Sequence, residues 1–331
     1  MSGRYLLGSR GRLDFAIEAD KYTKETTGFQ EFGYTPDEID VPNENPHTPL
    51  PTGGESGPVL NSPDQREHEI PVTSVPTDEN PPLQTVLGAV ETGEDLDAGY
   101  NFWKFTEDRP LPTMTVRHVQ EDADLVAYYV GAKSNLDVTA SQDEHVNFDY
   151  TITAARQEFD PEESAPELST DLETDLTPYR FEMLGTVEMT DPDNDSLIKE
   201  VATITSIDLS WDNGLEANHH GRGDSDDPEE GREAYSVSEE TNAERYDWSM
   251  DIKVTDTELY ERAAQNEAPV NVEIPIGRVV DTGTITDGII IRGFDCDVTD
   301  APMPNQAEGS LEATIGILPL SSEIEIRREI A

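Results

Sequence analysis

The stretch YVGAKSNLDVTASQDEHVNFDYTITA, residues 129–154, consists of two alternating segments separated by a polar turn. The first segment is Ser134-Asn135-Leu136-Asp137-Val138-Thr139, and in the second the apolar positions are Val146, Phe148, Tyr150 and Ile152. A period of two residues is typical of a β-strand with one buried face. The stretch therefore predicts a strand pair with one apolar and one polar face. The side chains predicted to be buried are Leu136, Val138, Phe148 and Tyr150.

The chain is strongly acidic, with 71 Asp and Glu against 22 Lys and Arg in 331 residues, a formal charge of −49. Self-repulsion in such a chain often prevents folding. Here strand patterns over residues 111–156, 180–211 and 246–316 place most acid on alternate positions and in turns. Only six basic residues are Lys, which resembles proteins of extreme halophiles. Molar salt shortens the Debye length to about 3 Å and screens the repulsion, so the acidity alone identifies no partner.

Cysteine content and hydropathy limit the class of protein. The single Cys296, in IIIRGFDCDV, excludes an intramolecular disulfide and a cysteine-only metal site, and we expect it to be a buried core residue. The sequence shows neither a signal-peptide pattern nor an apolar run of about 20 residues. We therefore expect a soluble protein made in the cytoplasm and not inserted into a membrane.

The first 83 residues are predicted to form an extended, proline-rich arm. Residues 36–82 contain 11 prolines, and proline fixes φ and removes a backbone donor. One short strand pair is expected within the arm, between residues 57–61 and 67–73.

The rest of the chain is predicted to form two β units. The first spans residues 84–158, a breaker-rich linker spans 159–179, and the second unit spans 180–331. The second unit includes a long acidic loop at 212–245 and the one confident helix, 255–266, which has a capping residue and an apolar face. Many strands and a single helix give a mainly-β fold.

A weak internal repeat supports two related copies in one chain. Residues 134–139 align with residues 205–210 at a shift of 71. The strand that follows is predicted at 147–152 in the first copy and at 245–250 in the second.

The ordered motifs resemble the major tail tube proteins of long-tailed viruses of bacteria and archaea, and the composition suggests a halophilic archaeal host. The resemblance covers residues 84–318 and rests mainly on an aromatic-x-Gly-x-Lys-x-Asn strand at residues 129–136 and a Ser-hydrophobic-x-hydrophobic-Ser-x-x-Asn strand at 206–213. It implies a tail-tube-type β-sandwich or barrel with a flanking helix and long arms. Subunits would close into rings that stack into a tube. A ring of three with pseudo-sixfold symmetry is favoured, and a ring of six stays open.

The same resemblance implies the partners and the location. A tube subunit would contact copies of itself, the tail terminator, the distal tail protein and the tape-measure protein. Viral DNA would pass through without being read in sequence, and the polar strand faces would meet water or the channel. The protein would be located in the virion, after assembly in the host cytoplasm. The alternative is a distal tail, receptor-binding or cell-surface adhesion protein that displays Arg222-Gly223-Asp224.

No catalytic, cofactor-binding or metal-ligating residue is predicted, so we expect no enzyme. His219 and His220 beside Asp224, Asp226 and Asp227 are interpreted as a solvated acidic loop. The run DPDNDS at 191–196 lacks the Gly and the bidentate Glu of a calcium loop and is interpreted as a turn. Trp211 and Asn213 are interpreted as packing and turn residues.

Overall fold

The structure is a computed structural model of the chain. It describes residues 11–33, 41, 47–51, 58–63, 65–76, 81–120, 125–159, 178–201, 203–219, 232–240, 245–254, 259, 261–262, 268–281, 284–301 and 312–330. This part of the chain is mainly β, as the alternating patterns predict, and its pairings between strands are antiparallel.

The strands are β1 (Gly11–Ile17), β2 (Gln30–Glu31), β3 (His47–Pro51), β4 (Pro58–Pro63), β5 (His68–Ser74), β6 (Gly88–Asp95), β7 (Tyr100–Glu107), β8 (Met114–Gln120), β9 (Leu125–Ser141), β10 (Asn147–Ala154), β11 (Arg156–Phe159), β12 (Val187–Thr190), β13 (Leu197–Val201), β14 (Ile204–Trp211), β15 (Leu215–Asn218), β16 (Ser236–Glu239), β17 (Tyr246–Lys253), β18 (Val270–Asp281), β19 (Thr284–Asp300), β20 (Glu312–Leu318) and β21 (Ser321–Glu329). A 3₁₀ turn (Pro81–Leu83) leads into the four-residue helix α1 (Gln84–Leu87), and a second 3₁₀ turn is Phe181–Met183.

Three sheets share two long strands. The central sheet has the order β5-β10-β9-β14-β17-β20-β19. The first flanking sheet has the order β2-β1-β8-β9-β11, and the second has the order β13-β12-β18-β19-β21-β7-β6. Strands β9 and β19 therefore connect each flanking sheet to the central one. Two separate hairpins, β3-β4 and β15-β16, complete the described strands.

Strand β9 changes sheets at a glycine. Gly131 has φ +70°, a conformation that side-chain-bearing residues rarely adopt, and an added Cβ would lie 2.4 Å from a ring carbon of Tyr22. Before the bend, Val130 pairs with β11, and after it Lys133 pairs with β10. The corresponding bend in β19 lies at Asp295, with φ +49°. Asp is one of the few residues besides Gly that tolerate this region.

The inner face of the central sheet is the apolar core. Leu136, Val138, Phe148 and Tyr150 are all at most 1% exposed, which confirms the predicted buried face. Two tryptophans of the same face, Trp211 and Trp248, lie edge to face with ring centroids 5.0 Å apart. The Trp211 indole N–H donates to Ser322 Oγ at 2.8 Å, so Trp211 is a packing residue as predicted.

The described parts of residues 1–83 are not an extended arm. Strand β1 pairs along its whole length with β8, and β5 pairs with β10 at the edge of the central sheet. Their apolar side chains, including Phe15 and Ile70, are buried. The proline count hid these strands because prolines cluster between them and because Pro71 is tolerated in β5, an edge strand. The predicted pairing of residues 57–61 with 67–73 is also wrong, since β4 pairs with β3.

The two predicted β units share sheets. Strand β14, beyond the 159–179 linker, pairs with β9, and β21 pairs with β7. Val138 faces Leu209, its own counterpart at a shift of 71. Phe148 lies opposite Val138, and Trp248 lies opposite Leu209. The register therefore equates Phe148 with Trp248, two residues further along than the predicted alignment, which preserves the inward face.

Other predicted segments are described only in part. Of the linker, residues 160–177 lie outside the described residues, and Tyr179 is buried in the core. The predicted helix 255–266 lies mostly outside them too, although residues 259, 261 and 262 are helical. The predicted loop 212–245 is wrong at its ends, because β15 and β16 form a hairpin there. Four-residue strands carry too few alternations to show a period.

Burial makes Cys296 chemically inert. The residue is fully buried, as predicted, and burial raises its pKa to about 12. Because the thiolate is the nucleophile, we expect no reaction of the folded protein with a maleimide at pH 7 during the time in which the denatured chain reacts completely. Mass spectrometry at successive times measures this, and labelling of the native protein at the rate of the denatured chain would contradict it.

Candidate functional site

A buried ionic network joins the first bend to the β15-β16 hairpin. Just after Gly131, the Lys133 side chain enters the space between the sheet and the hairpin, where it donates to Glu239 Oε1 at 2.5 Å and to the Val237 carbonyl at 2.9 Å. Arg109 donates to the other oxygen of Glu239 at 2.8 Å. Burial alone would raise the pKa of Glu239, but the hydrogen bonds from Lys133 and Arg109 outweigh burial and lower it. The carboxylate is therefore held ionised between two cations.

Asn213 is the amide hub beside this network. Its side-chain NH₂ donates to the carbonyls of Val86 at 3.1 Å and Ser134 at 2.8 Å, and its Oδ1 accepts from Arg109 at 2.9 Å. Its backbone N–H donates to Asn135 Oδ1 at 2.9 Å. The side chain is fully buried, so no water replaces these partners. Asn213 ties the end of β14 to β9, to α1 and to the β7-β8 connection.

The motif positions of the sequence thus have structural tasks. Gly131 permits the bend, Lys133 anchors the hairpin, and Asn135 and Asn213 bond to each other. Tyr129 accepts a hydrogen bond from Gln157 at 2.7 Å, and burial raises its pKa to about 12. The sequence brought these positions to notice but did not indicate that the two motifs meet.

A second network lies next to the first. Glu107 accepts from Arg245 at 2.7 Å, from the Ser322 backbone N–H at 2.6 Å and from the Tyr246 hydroxyl. Arg245 also donates to the Val86 carbonyl at 3.2 Å, so Val86 receives bonds from both networks. Burial and then the positive charge of Arg109 lower the pKa of Arg245, while Glu107 opposes that shift. The two networks together fix the junction of the central and second flanking sheets.

Two further buried acids support the first flanking sheet. Asp14 forms a two-bond contact with Arg117 at 2.9 and 2.7 Å, and both side chains are at most 1% exposed. Glu18 accepts from four neutral donors: Thr113 Oγ1, Thr115 Oγ1 and the backbone N–H groups of Tyr22 and Gly131. Because Gly131 is one of them, the Glu18 carboxylate helps to hold the bend in β9. Sequence patterns missed both acids, because an Asp or Glu within a strand is normally placed on the solvent face.

The outer face of the central sheet is covered by short polar side chains. Those on the four middle strands are Asn135, Asp137, Thr139, Ser141, Asn147, Asp149, Thr151, Thr153, Ser206, Asp208, Ser210, Asp247, Ser249 and Asp251. Asp137 and Asp149 lie directly opposite each other. Burial raises the pKa of Asp208, and the charges of Asp137, Asp247 and Asp149 raise it further. We call this surface the acidic face.

The outer face of the second flanking sheet is different, since an arginine there pairs with several carboxylates. Arg292 donates to Glu273, Glu323 and Glu325 on the two neighbouring strands at 2.6–2.7 Å. Burial would lower the pKa of Arg292, but the hydrogen bonds that it donates to Glu325 and Glu273 raise it. The arginine therefore stays charged, and its pairing cross-links three strands.

A cleft of about 740 Å³ opens at the β20-β21 turn. Its apolar walls are Pro269, Leu318, Pro319 and Leu320, and two exposed carboxylates, Asp295 and Asp297, stand at its side. Leu320 is 74% exposed. Arg109 and Arg245 also line the cleft but are paired as described above. Within the described part of the chain neither Asp295 nor Asp297 has a salt-bridge partner. We call this the Leu320 cleft.

Among the residues considered for metal binding, those that the structure describes do not form a site. His219 is described, whereas residues 220–231, which include His220 and the Arg222-Gly223-Asp224 tripeptide, lie outside the described residues. The run DPDNDS forms the β12-β13 turn, as interpreted, with Asp193 N–H donating to Asp191 Oδ1 at 2.9 Å. Among the described residues no group of three His, Cys, Asp or Glu is placed to hold a metal ion, and no helix there could span a membrane.

Removal of the Asn213 amide tests its role as a hub. Asn213→Ala removes the side-chain partner of the Ser134 carbonyl and of Arg109, while the Val86 carbonyl keeps Arg245 as a donor. Each group left unpaired costs about 1–3 kcal/mol. We expect the free energy of unfolding to fall by about 3 kcal/mol or more in urea titrations at molar salt. The matched control is Asn218→Ala in β15, whose amide makes a single exposed contact. Its expected loss of unfolding free energy is below about 0.5 kcal/mol. Equal losses in the two variants would contradict the role assigned to the Asn213 amide.

Glu239 predicts a pH-dependent contribution to stability. Its folded pKa lies below the unfolded value, so its contribution is present above the unfolded pKa and is lost as pH falls through the folded pKa. Glu239→Gln should therefore reduce the free energy of unfolding by about 2–3 kcal/mol near pH 7. The gap to the wild type should shrink below a pH of about 4. Glu216→Gln, at an exposed position of β15, is the control, and a gap independent of pH would contradict the assignment.

Comparison with known proteins identifies no relative of this chain. The chain matches no protein-family model and no curated protein sequence.

Proposed function

We propose that this chain is a structural virion protein whose copies form the stacked rings of a viral tail tube, a conduit for genome delivery. The observation that carries the proposal is the acidic face. One side of the central sheet is apolar core, and on its four middle strands the other side consists mostly of Asp, Asn, Ser and Thr. A wall made mostly of short side chains suits a channel because few long side chains project into it.

The charge of the acidic face fits the passage of DNA. Affinity for DNA comes largely from the neutralisation of phosphates by Lys and Arg. On the four middle strands the face has five aspartates against two lysines. Lys253 lies at the end of β17, and Lys133 of β9 is buried under the β15-β16 hairpin, where it pairs with Glu239. Burial raises the pKa of Asp208, and the charges of the neighbouring carboxylates raise it further. Such a wall repels phosphate and does not retain the genome.

The internal repeat supports a ring of three subunits with pseudo-sixfold symmetry. Two strand pairs, β9-β10 and β14-β17, lie side by side in the central sheet, and Val138 faces its own counterpart Leu209. Two related pairs in each subunit would present six similar elements per ring of three. A ring of six subunits would use the same face with twelve pairs and is the alternative.

The proposed partners are the proteins that a tail tube subunit would contact. Each ring would stack on copies of itself, with the tail terminator and the distal tail protein at the two ends and the tape-measure protein inside during assembly. The proposed location is the virion, reached from the cytoplasm of a halophilic host.

Electron microscopy of the purified protein in molar salt tests assembly. We expect stacked rings with a central channel, because the proposed tube is built from copies of this chain. A monodisperse monomer at high protein concentration would contradict the proposal.

Site-specific labelling tests which surface faces the channel. Since Cys296 is buried, an introduced cysteine is the reactive thiol of the folded chain. Asp208→Cys labelled with a maleimide gold cluster should place density inside the channel. Glu91→Cys, at an exposed position of β6, is the control and should place density elsewhere. Gold on the outside of Asp208→Cys tubes would contradict the role of the acidic face.

A further inference from the structure

The first thirteen residues of the chain, MSGRYLLGSRGRL, differ from the rest in charge. They contain three arginines and no Asp or Glu, in a chain with a formal charge of −49. Within them Arg4-Tyr5-Leu6-Leu7 combines a cation with three large apolar side chains. Residues 11–13 belong to β1, and the composition of residues 4–7 suits a partner surface that is both apolar and acidic.

The Leu320 cleft has that chemistry. Leu318 and Leu320 are 37% and 74% exposed at its edge, and exposed leucines that line a concave surface are typical of a docking site. The carboxylates of Asp295 and Asp297 have no salt-bridge partner among the described residues. Arginine is the residue best suited to such carboxylates, since its planar fork binds them in a bidentate manner.

We propose that the Leu320 cleft binds residues 4–7 of a second copy of this chain, with Leu6 and Leu7 against Leu318 and Leu320 and Arg4 at Asp295 and Asp297.

The geometry favours a second copy over the same chain. Gly11 pairs with Gln120 at one end of the β1-β8 ladder, and Ile17 pairs with Met114 at the other end. The Met114 end of β8 is the one that the chain enters from Arg109, a residue of the cleft wall. The ladder spans six residue steps, about 20 Å. Leu7 precedes Gly11 by four residues and reaches about 14 Å from it when fully extended. The segment is therefore too short to reach back along β1 into its own cleft.

A contact of this kind joins two different surfaces, the segment of one copy and the cleft of the next. Head-to-tail contacts generate rings when the rotation closes and filaments when it does not. The inference goes beyond the tail tube proposal and does not depend on it, because any head-to-tail assembly of this chain could use the contact.

Complementation between full-length variants tests the exchange of segments. The cleft variant is Leu320→Asp, and the segment variant is Leu6→Ser with Leu7→Ser. Each alone should self-associate at least tenfold more weakly than the wild type in sedimentation velocity at molar salt. An equimolar mixture should form a 1:1 complex, because one intact segment then meets one intact cleft. Leu96→Asp, a leucine that is 75% exposed at the β6-β7 turn, is the matched control and should behave as the wild type.

A peptide titration tests the site directly. A synthetic peptide of residues 1–12 is added to the full-length segment variant while tryptophan fluorescence is recorded. Trp248 reports on the cleft because its ring lies 6.2 Å from that of Tyr246 on the cleft wall. We expect a saturable change that Leu320→Asp weakens at least tenfold. Asp295→Asn with Asp297→Asn should weaken it several-fold, and Asn is a suitable replacement because it tolerates the left-handed backbone of Asp295.

Three results would overturn the inference: no saturable change, an equal response of the Leu320→Asp variant, or a variant mixture that stays dissociated. Binding of the peptide without any tube in the microscope would retain this contact and reject the tail tube. Tubes formed normally by the Leu320→Asp variant would retain the tail tube and reject this contact.

Discussion

The left-handed bend of β9 at Gly131 is the constraint on which the rest of the structure depends. It lets one strand serve two sheets, so that the first flanking sheet and the central sheet share a single core. The bend has no room for a Cβ, since the Tyr22 ring lies against it, and its backbone N–H is held by the buried carboxylate of Glu18. Two residues later, Lys133 reaches the hairpin that closes over the junction. Backbone conformation, hydrogen bonding and charge pairing thus act at one place.

Buried charge has a particular meaning in this chain because basic residues are scarce. Arg117, Lys133, Arg245 and Arg292 are all committed to carboxylates at sheet junctions or across strands. Buried pairs contribute little net stability against apolar replacements, but removal of one partner is costly. Their effect is to fix how the sheets meet. The surface is left with most of the unpaired acid, and for that reason the acidic face has so few cations.

The sequence predicted the class of fold and the faces of the strands, because alternation over seven or eight residues directly reports one buried side. It failed where the signal was short or masked by composition. The four-residue strands β15 and β16 lie within a loop-like acidic stretch, and β5 lies in a proline-rich region.

The candidate site was predictable only in part. Lys133 and Asn213 stood out in motifs, but their partners are far away in sequence. Glu239 lies 106 residues from Lys133, and Arg109 lies 104 residues from Asn213. No local pattern reports a contact at that distance. The buried acids Asp14 and Glu18 were missed for the related reason that their donors come from other strands.

Salt determines which contacts can hold copies of this protein together. In dilute buffer, surfaces with so many unpaired carboxylates repel one another, and in molar salt that repulsion is screened over about 3 Å. The same screening weakens any exposed ion pair between subunits, whereas strongly hydrated salts strengthen the burial of apolar groups. Association in molar salt therefore has to rely on apolar contacts, with charge pairs adding specificity more than affinity. The exposed leucines at the β20-β21 turn lie beside Asp295 and Asp297, which have no ion-pair partner among the residues that the structure describes, and they have the composition that this condition requires.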